Sequence, residues 1–120
     1  MVLTDYKELV AWQKSIGLVE RIYRATQYFP KDEIYGLTNQ LRRAAVSVPS
    51  NIAEGQGRGT AAEFDRFLRI ANGSRQEVET QLIIANRLGY LDDATLMSAL
   101  ALVEEVGRII AGLRNSLCES

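Results

Sequence analysis

The chain contains no histidine. That absence removes Ser-His-Asp and Cys-His nucleophilic catalysis, and with them the Glu-x-x-His ligand sets of di-iron bundles. Any metal would have to be held by carboxylates alone, so the expectation is no cofactor, no metal and no enzymatic activity. Cysteine occurs once, at Cys118. A single thiol cannot staple its own chain and fits a reducing compartment. No apolar run approaches the ~20 residues of a membrane span. The opening MVLTDYKELV lacks both a basic n-region and a continuous apolar h-region, so no secretory signal is read there. Together these absences point to a cytoplasmic protein with no membrane partner. There is no excess of positive charge either: 14 Lys/Arg against 15 Asp/Glu leave a net charge of −1, unlike a typical nucleic-acid binder.

What is present is a pattern of apolar residues. At 120 residues the chain forms one domain, with 47% hydrophobic residues to build a core. Four amphipathic segments follow one another, over about 5–28, 33–55, 61–88 and 92–117. In the first, Leu9, Trp12, Ile16, Val19 and Tyr23 step by three and four, with Ile22 and Thr26 widening the face. Thr4 or Asp5 caps its start, Glu8 completes a capping box, and Phe29-Pro30 ends it. The second carries Ile34, Leu37, Leu41, Ala44 or Ala45, Val48 and Ile52. Phe64, Phe67, Ala71, Ser74, Val78, Leu82, Ala85 and Leu88 mark the third, which Thr60 and Glu63 open as a second capping box. Leu96, Leu100, Val103, Val106 or Gly107, Ile110, Leu113 and Leu117 mark the fourth, behind acidic residues that suit a helix N-terminus. Short connections require antiparallel neighbours. The expected fold is all-α, an up-down-up-down antiparallel four-helix bundle.

Pro49 interrupts the composition of the second segment but not its phase. A proline inside a helix costs about 3 kcal/mol, because it lacks the donor and crowds the carbonyl four residues back. The expectation is one continuous helix kinked at Pro49, softened by Ser47 and Ser50. The rival is a break at Val48, with Pro49 opening a new helix. The run Gly55-Gln56-Gly57-Arg58-Gly59 is read as the stop. Gly73, in mid-helix, implies a close neighbour.

The main stripes leave apolar residues over: Val10, Leu18, Ile22, Leu68, Ile70, Ile83, Ile84, Leu102 and Ile109. This surplus favours an oligomer, against the plainer alternative of a wide core stripe.

No constellation in the sequence carries catalysis. Glu54, Glu77 and Glu79 lie near apolar stripes, and Glu54 is expected in a buried ion pair with Arg58 or Arg43. Glu104 and Glu105 read as a solvated face. The glycine run follows a helix rather than a strand, so it is not a phosphate loop. The basic residues are more informative. Arg42, Arg43, Arg58, Arg66 and Arg69 are expected to cluster around the hairpin of the second and third helices, and Lys14, Arg21 and Arg24 form a row on the first. They offer phosphate contacts if unpaired, and are ordinary surface pairs if Glu20, Glu54, Glu63 and Asp65 neutralise them. Tyr6, Tyr23, Tyr28, Tyr35 and Tyr90 can stack on bases or line bundle edges. Charge is uneven: residues 1–58 hold eight basic and six acidic residues, net +2, and residues 90–120 hold two and five, net −3.

WQKS, QLRRAAVSVPSNIAEGQGR and EFDRFLRIANGSRQEVETQL, followed by a last amphipathic helix, resemble the four-helix bundle proteins of the 23S rRNA intervening-sequence family. The accessory variability determinant of diversity-generating retroelements is related to that family. The resemblance runs from about Tyr6 to Leu117. Its most specific positions include Pro49, Ser50, Asn51, Glu54, Gly55, Gly57, Arg58, Gly73, Ser74, Glu77, Glu79, Thr80 and Gln81. It implies a homopentameric barrel in which these residues shape the protomer or its interface. For the retroelement-linked members it also implies nucleic acid and a reverse transcriptase as partners. Two functions therefore stand: a non-catalytic bundle binding RNA or DNA through basic patches repeated around a ring, or a protein-interaction scaffold without nucleic-acid affinity.

Overall fold

The computed structural model describes residues 5–118. Four helices make up nearly all of it: α1 (Val10–Thr26), α2 (Leu37–Gly57), α3 (Ala61–Arg87) and α4 (Asp93–Cys118). Short 3-10 turns at Tyr6–Glu8 and Lys31–Glu33 precede the first two, and no strand occurs among the described residues. The helices form a bundle in which α1 packs on α2 and α4, and α3 on α2 and α4, with an envelope of 46 × 24 × 19 Å.

Contacts fix the directions of three pairs. On α2 and α3, Gly55 meets Phe64 and Phe67 while Ser47 meets Ser74. Between α3 and α4, Asp65 meets Arg114 and Asn86 meets Asp93, both at 2.8 Å. Between α4 and α1, Glu105 meets Lys14 and Ser98 meets Arg21. In each pair the sequence numbers ascend on one helix as they descend on the other, so these neighbours are antiparallel.

Two apolar clusters fill the interior. One gathers Leu18, Ile22, Phe29, Leu41, Val78, Leu82 and Val103; the other gathers Ala11, Val48, Ile52, Phe64, Leu68, Val106 and Ile110. Removing one such Leu or Ile costs about 2–5 kcal/mol. This core, rather than any surface ion pair, decides the fold.

Several boundaries and faces differ from the expectation. Asp5 caps only the 3-10 turn, accepting from the Lys7 amide at 2.9 Å, and α1 starts five residues later at Val10. Thr4, the other candidate cap, lies outside the described residues. The buried face of α1 is Ala11, Ser15, Leu18, Ile22 and Thr26, one position out of phase with the expected stripe, and Tyr23 is exposed. Ser15, a polar residue in a core position, interrupts the apolar reading of that face, which Ile22 and Thr26 otherwise extend. Ser15 donates to the Trp12 carbonyl at 2.9 Å and Thr26 to the Ile22 carbonyl at 2.8 Å, so both hydroxyls are satisfied within their own helix. Consequently Leu18, Ile22 and Leu68 belong to the core, not to the surplus. The surplus that remains exposed includes Val10, Ile70, Ile83 and Ile84.

Helix α2 begins at Leu37 because Gly36 is non-helical and the Glu33 carboxylate caps from a distance, accepting from the Leu37 amide at 3.0 Å. Ile34 therefore precedes the helix and is exposed. Through Pro49 the helix is unbroken, which removes the rival two-helix reading. It also runs past Gly55 to Gly57, and only Gly59, at φ +85°, takes the left-handed stop conformation in that run. Gly55 serves a different purpose. A Cβ there would stand 2.6 Å from the Phe67 Cβ, so glycine lets α2 and α3 close up at their hairpin end. At Gly73 nothing lies within 4 Å of an added Cβ, so the expected close neighbour is absent within the protomer.

Candidate nucleic-acid interface

The eight basic candidates divide by their partners. Lys14 lies 3.6 Å from Glu105, Arg58 3.5 Å from Glu54, Arg66 2.8 Å from Glu63 and Arg69 3.3 Å from Asp65. Arg21 donates to the Ser98 hydroxyl. Hydrogen bonding from Arg66 holds the Glu63 carboxyl below its ordinary range, and hydrogen bonding from Arg114 does the same for Asp65, with the charges of Arg114 and Arg69 adding to it. The charge of the α2–α3 hairpin end is therefore largely neutralised where it stands. Arg58 and Arg66 also hold their guanidiniums over the Phe67 ring, at 4.9 and 4.6 Å from its centre, covering an aromatic that would otherwise face water. The expected buried ion pair of Glu54 is present with Arg58, but both side chains are about half exposed.

Of the eight candidates, four make no carboxylate pair among the described residues: Arg21, which has only the Ser98 hydroxyl, and Arg24, Arg42 and Arg43. Arg24 is exposed near the end of α1. Arg42 and Arg43 share an open groove of about 760 Å³ with Tyr23, Ile34, Tyr35, Thr38, Asn39, Val46 and Ser47. The groove follows from local sequence. Leu37, Leu41, Ala45 and Val48 turn one side of α2 inward, which puts Asn39, Arg42, Arg43 and Val46 on the other. The Gly36 bend carries Ile34 and Tyr35 to its lip, and Tyr23 closes it from α1.

Arg42 is held in position rather than neutralised. Its Nε donates to the Thr26 hydroxyl at 2.8 Å, and its guanidinium lies 4.5 Å from the centre of the Tyr23 ring. Its other N–H groups have no partner among the described residues. Arg43 is exposed and free. No Asp or Glu lines the groove, so its formal charge is +2 on a chain of net charge −1. Ion-pair hydrogen bonds to an incoming anion would therefore displace no resident carboxylate.

Arg43 and Ser47 also border a second cleft, of about 400 Å³, with Gln40, Ser74, Glu77 and Gln81. Glu77 stands in that cleft, exposed and without an ion pair. The family-motif residues organise its floor. Ser47 and Ser74 hydroxyls lie 2.8 Å apart, and the Asn51 amide donates to the Ser47 carbonyl at 2.8 Å and to its hydroxyl at 2.9 Å. The Gln81 Oε1 is buried without a partner. Pro49 is buried in the α2 face, Ser50 and Gly57 are exposed, and Gly73 opens onto a third cleft with Glu77 and Gln81. No cluster of His, Cys, Asp or Glu able to hold a metal occurs among the described residues, and no described helix is long and apolar enough to cross a membrane.

Of the tyrosines, the structure brings Tyr23 and Tyr35 to the basic groove. Tyr6 packs edge-on against Trp12, and Tyr90 packs against Phe29 and donates to Glu33 at 2.9 Å. Tyr28 is exposed outside the groove. Ile34 reads from the sequence as a core-stripe residue of the second helix and instead lines the groove, while Thr38, Asn39 and Val46 carry no site signal of their own. Asn39, Arg42, Arg43 and Val46 share the three-and-four spacing of a helical face, and reading the face opposite the α2 core stripe would have found them.

The sequence profile of the family described as 23S rRNA-intervening sequence protein matches residues 7–112. A solved structure of a protein with unknown function, from the S23 ribosomal protein family of Bacteroides thetaiotaomicron VPI-5482, superposes with a TM-score of 0.81 at 22% identity. The match covers 88% of this chain and 98% of that one. At that identity the likeness speaks for the fold. None of the curated proteins matches the chain. The family profile spans most of this all-α bundle, and the chain belongs to the 23S rRNA-intervening sequence protein family.

Proposed function

We propose that this protein is a non-catalytic bundle that binds RNA through the α1–α2 groove, repeated around a homo-oligomeric ring. One observation carries the reading: the groove holds Arg42 and Arg43 with no carboxylate in its lining, whereas the arginines of the hairpin end are ion-paired. Binding there exchanges counterions on a nucleic acid for guanidiniums that have no ion-paired carboxylate. The family description, which names an intervening sequence of 23S rRNA, supports RNA ahead of DNA. Exposed Val10, Ile70, Ile83 and Ile84 support assembly, for which the expected ring is a pentamer.

A scaffold for a protein partner such as a reverse transcriptase is the second reading, and the exposed apolar residues on α3 favour it. Size-exclusion chromatography with light scattering, at low salt and with absorbance at 260 and 280 nm, separates the two. A pentameric mass with excess absorbance at 260 nm supports the RNA reading. A clean pentamer shifts the case to the scaffold, and a monomer removes the ring from both.

A further inference from the structure

We infer that the α1–α2 groove takes an unpaired, single-stranded nucleotide whose base stacks on Tyr35, not the backbone of a duplex. The inference rests on the nucleic-acid reading above and specifies the form of the ligand.

Charge counting makes the first point. A protein that holds duplex DNA through its backbone typically makes about 6–10 phosphate contacts, and one groove supplies two free arginines. A duplex would therefore have to engage several protomers of the ring at once. For a single strand each neutralised phosphate contributes about −0.7 to the slope of log K against log salt, so two contribute about −1.4 per groove. So small an electrostatic contribution needs a second attraction beside it.

The aromatic residues supply that attraction. Tyr35 is 92% exposed at the lip, an arrangement with no packing purpose inside the protomer. Tyr23 already carries the Arg42 guanidinium on its ring, so a guanidinium plane and a phenol ring form one wall. Every base has a π-face to lay on such surfaces, and stacking tolerates sequence. Asn39, exposed in the same lining, offers an amide donor and acceptor to a base edge. A volume of about 760 Å³ is concave space of the size that small-molecule sites occupy. A duplex keeps its bases stacked inside and presents only outer phosphates, so it would leave Tyr35 and Asn39 without a task.

The test is fluorescence anisotropy of the full-length protein with a short labelled RNA, single-stranded or annealed to its complement. Tyr35→Ala should weaken single-strand binding by about 5- to 150-fold, and Tyr35→Phe should restore it. Arg43→Gln should flatten the single-strand salt slope by about 0.7. Both residues are exposed, so circular dichroism should find the variants folded. Equal binding of Tyr35→Ala and the parent, or a duplex bound as tightly as the single strand, overturns the inference and leaves the nucleic-acid reading standing. Polyglutamate that displaces RNA equally from the parent and from Tyr35→Ala also overturns it, as a site selecting charge alone. If neither RNA form binds, the nucleic-acid reading itself falls, and the inference with it.

Discussion

The hairpin end of α2 and α3 and the groove between α1 and α2 both carry arginines near aromatic rings, yet they have opposite electrostatic states. At the hairpin, Arg58, Arg66 and Arg69 each meet a carboxylate three or four residues away on the same helix. Two of them lie over Phe67, and Gly55 lets the backbones close beneath. In the groove, Arg42 is braced by a hydroxyl and a ring, Arg43 by nothing, and no acid stands in the lining. Positive residues in a cluster are thus a poor guide to an anion site. What counts is whether the local helix spacing supplies a counterion.

The largest expected difference is in binding. Arg42→Glu with Arg43→Glu should reduce RNA affinity by at least about tenfold, since each lost charged hydrogen bond is worth about 1.5–3 kcal/mol. Arg66→Glu with Arg69→Glu should leave it near the parent value. Anisotropy titrations of both double variants check this, with thermal melts to confirm that each is folded.

Next comes stability at the hairpin. Gly55→Ala forces a methyl to within 2.6 Å of the Phe67 Cβ and should destabilise the fold by about 1–3 kcal/mol by urea unfolding. RNA binding by the folded fraction should be retained, because the groove does not include that contact.

A smaller effect concerns acid. Hydrogen bonding from Arg114 lowers the folded-state pKa of Asp65. A lowered folded pKa gives stability that is fully present above the unfolded carboxylate value, about 4, and is lost as pH falls through the folded value. Asp65→Asn should therefore lower the urea midpoint at neutral pH and flatten its fall below about pH 4. An unchanged acid profile would separate Asp65 from the acid sensitivity.

The smallest expected effect is none. The groove holds no His, Asp or Glu, and arginine stays charged, so groove binding should not change between about pH 5.5 and 8. A titration in that window would place an ionisable group at the site and break the comparison.

Sequence periodicity reached the four helices because Leu, Ile and Val at three-and-four spacing leave few other ways to bury a core. The phase of α1 was not legible, since Ser15 satisfies its hydroxyl on its own helix and so occupies a core position that reads as polar. Nor was the late start of α2, which depends on Glu33 reaching forward to the Leu37 amide. At the site, Arg42 and Arg43 were visible as residues but not as a pair apart. Their distinction lies in what surrounds them across two helices, whereas the pairs of Arg58, Arg66 and Arg69 follow from spacing within one. Tyr23 was assigned inward and is instead the groove wall, a consequence of the same phase error.

The measurement that bears most directly on the central claim is the affinity of a labelled single-stranded RNA for the groove variant Arg42→Glu with Arg43→Glu and for the hairpin variant Arg66→Glu with Arg69→Glu, side by side at low salt. The account predicts loss of binding in the first and near-parent binding in the second. Equal loss in both, or retention in both, would contradict it.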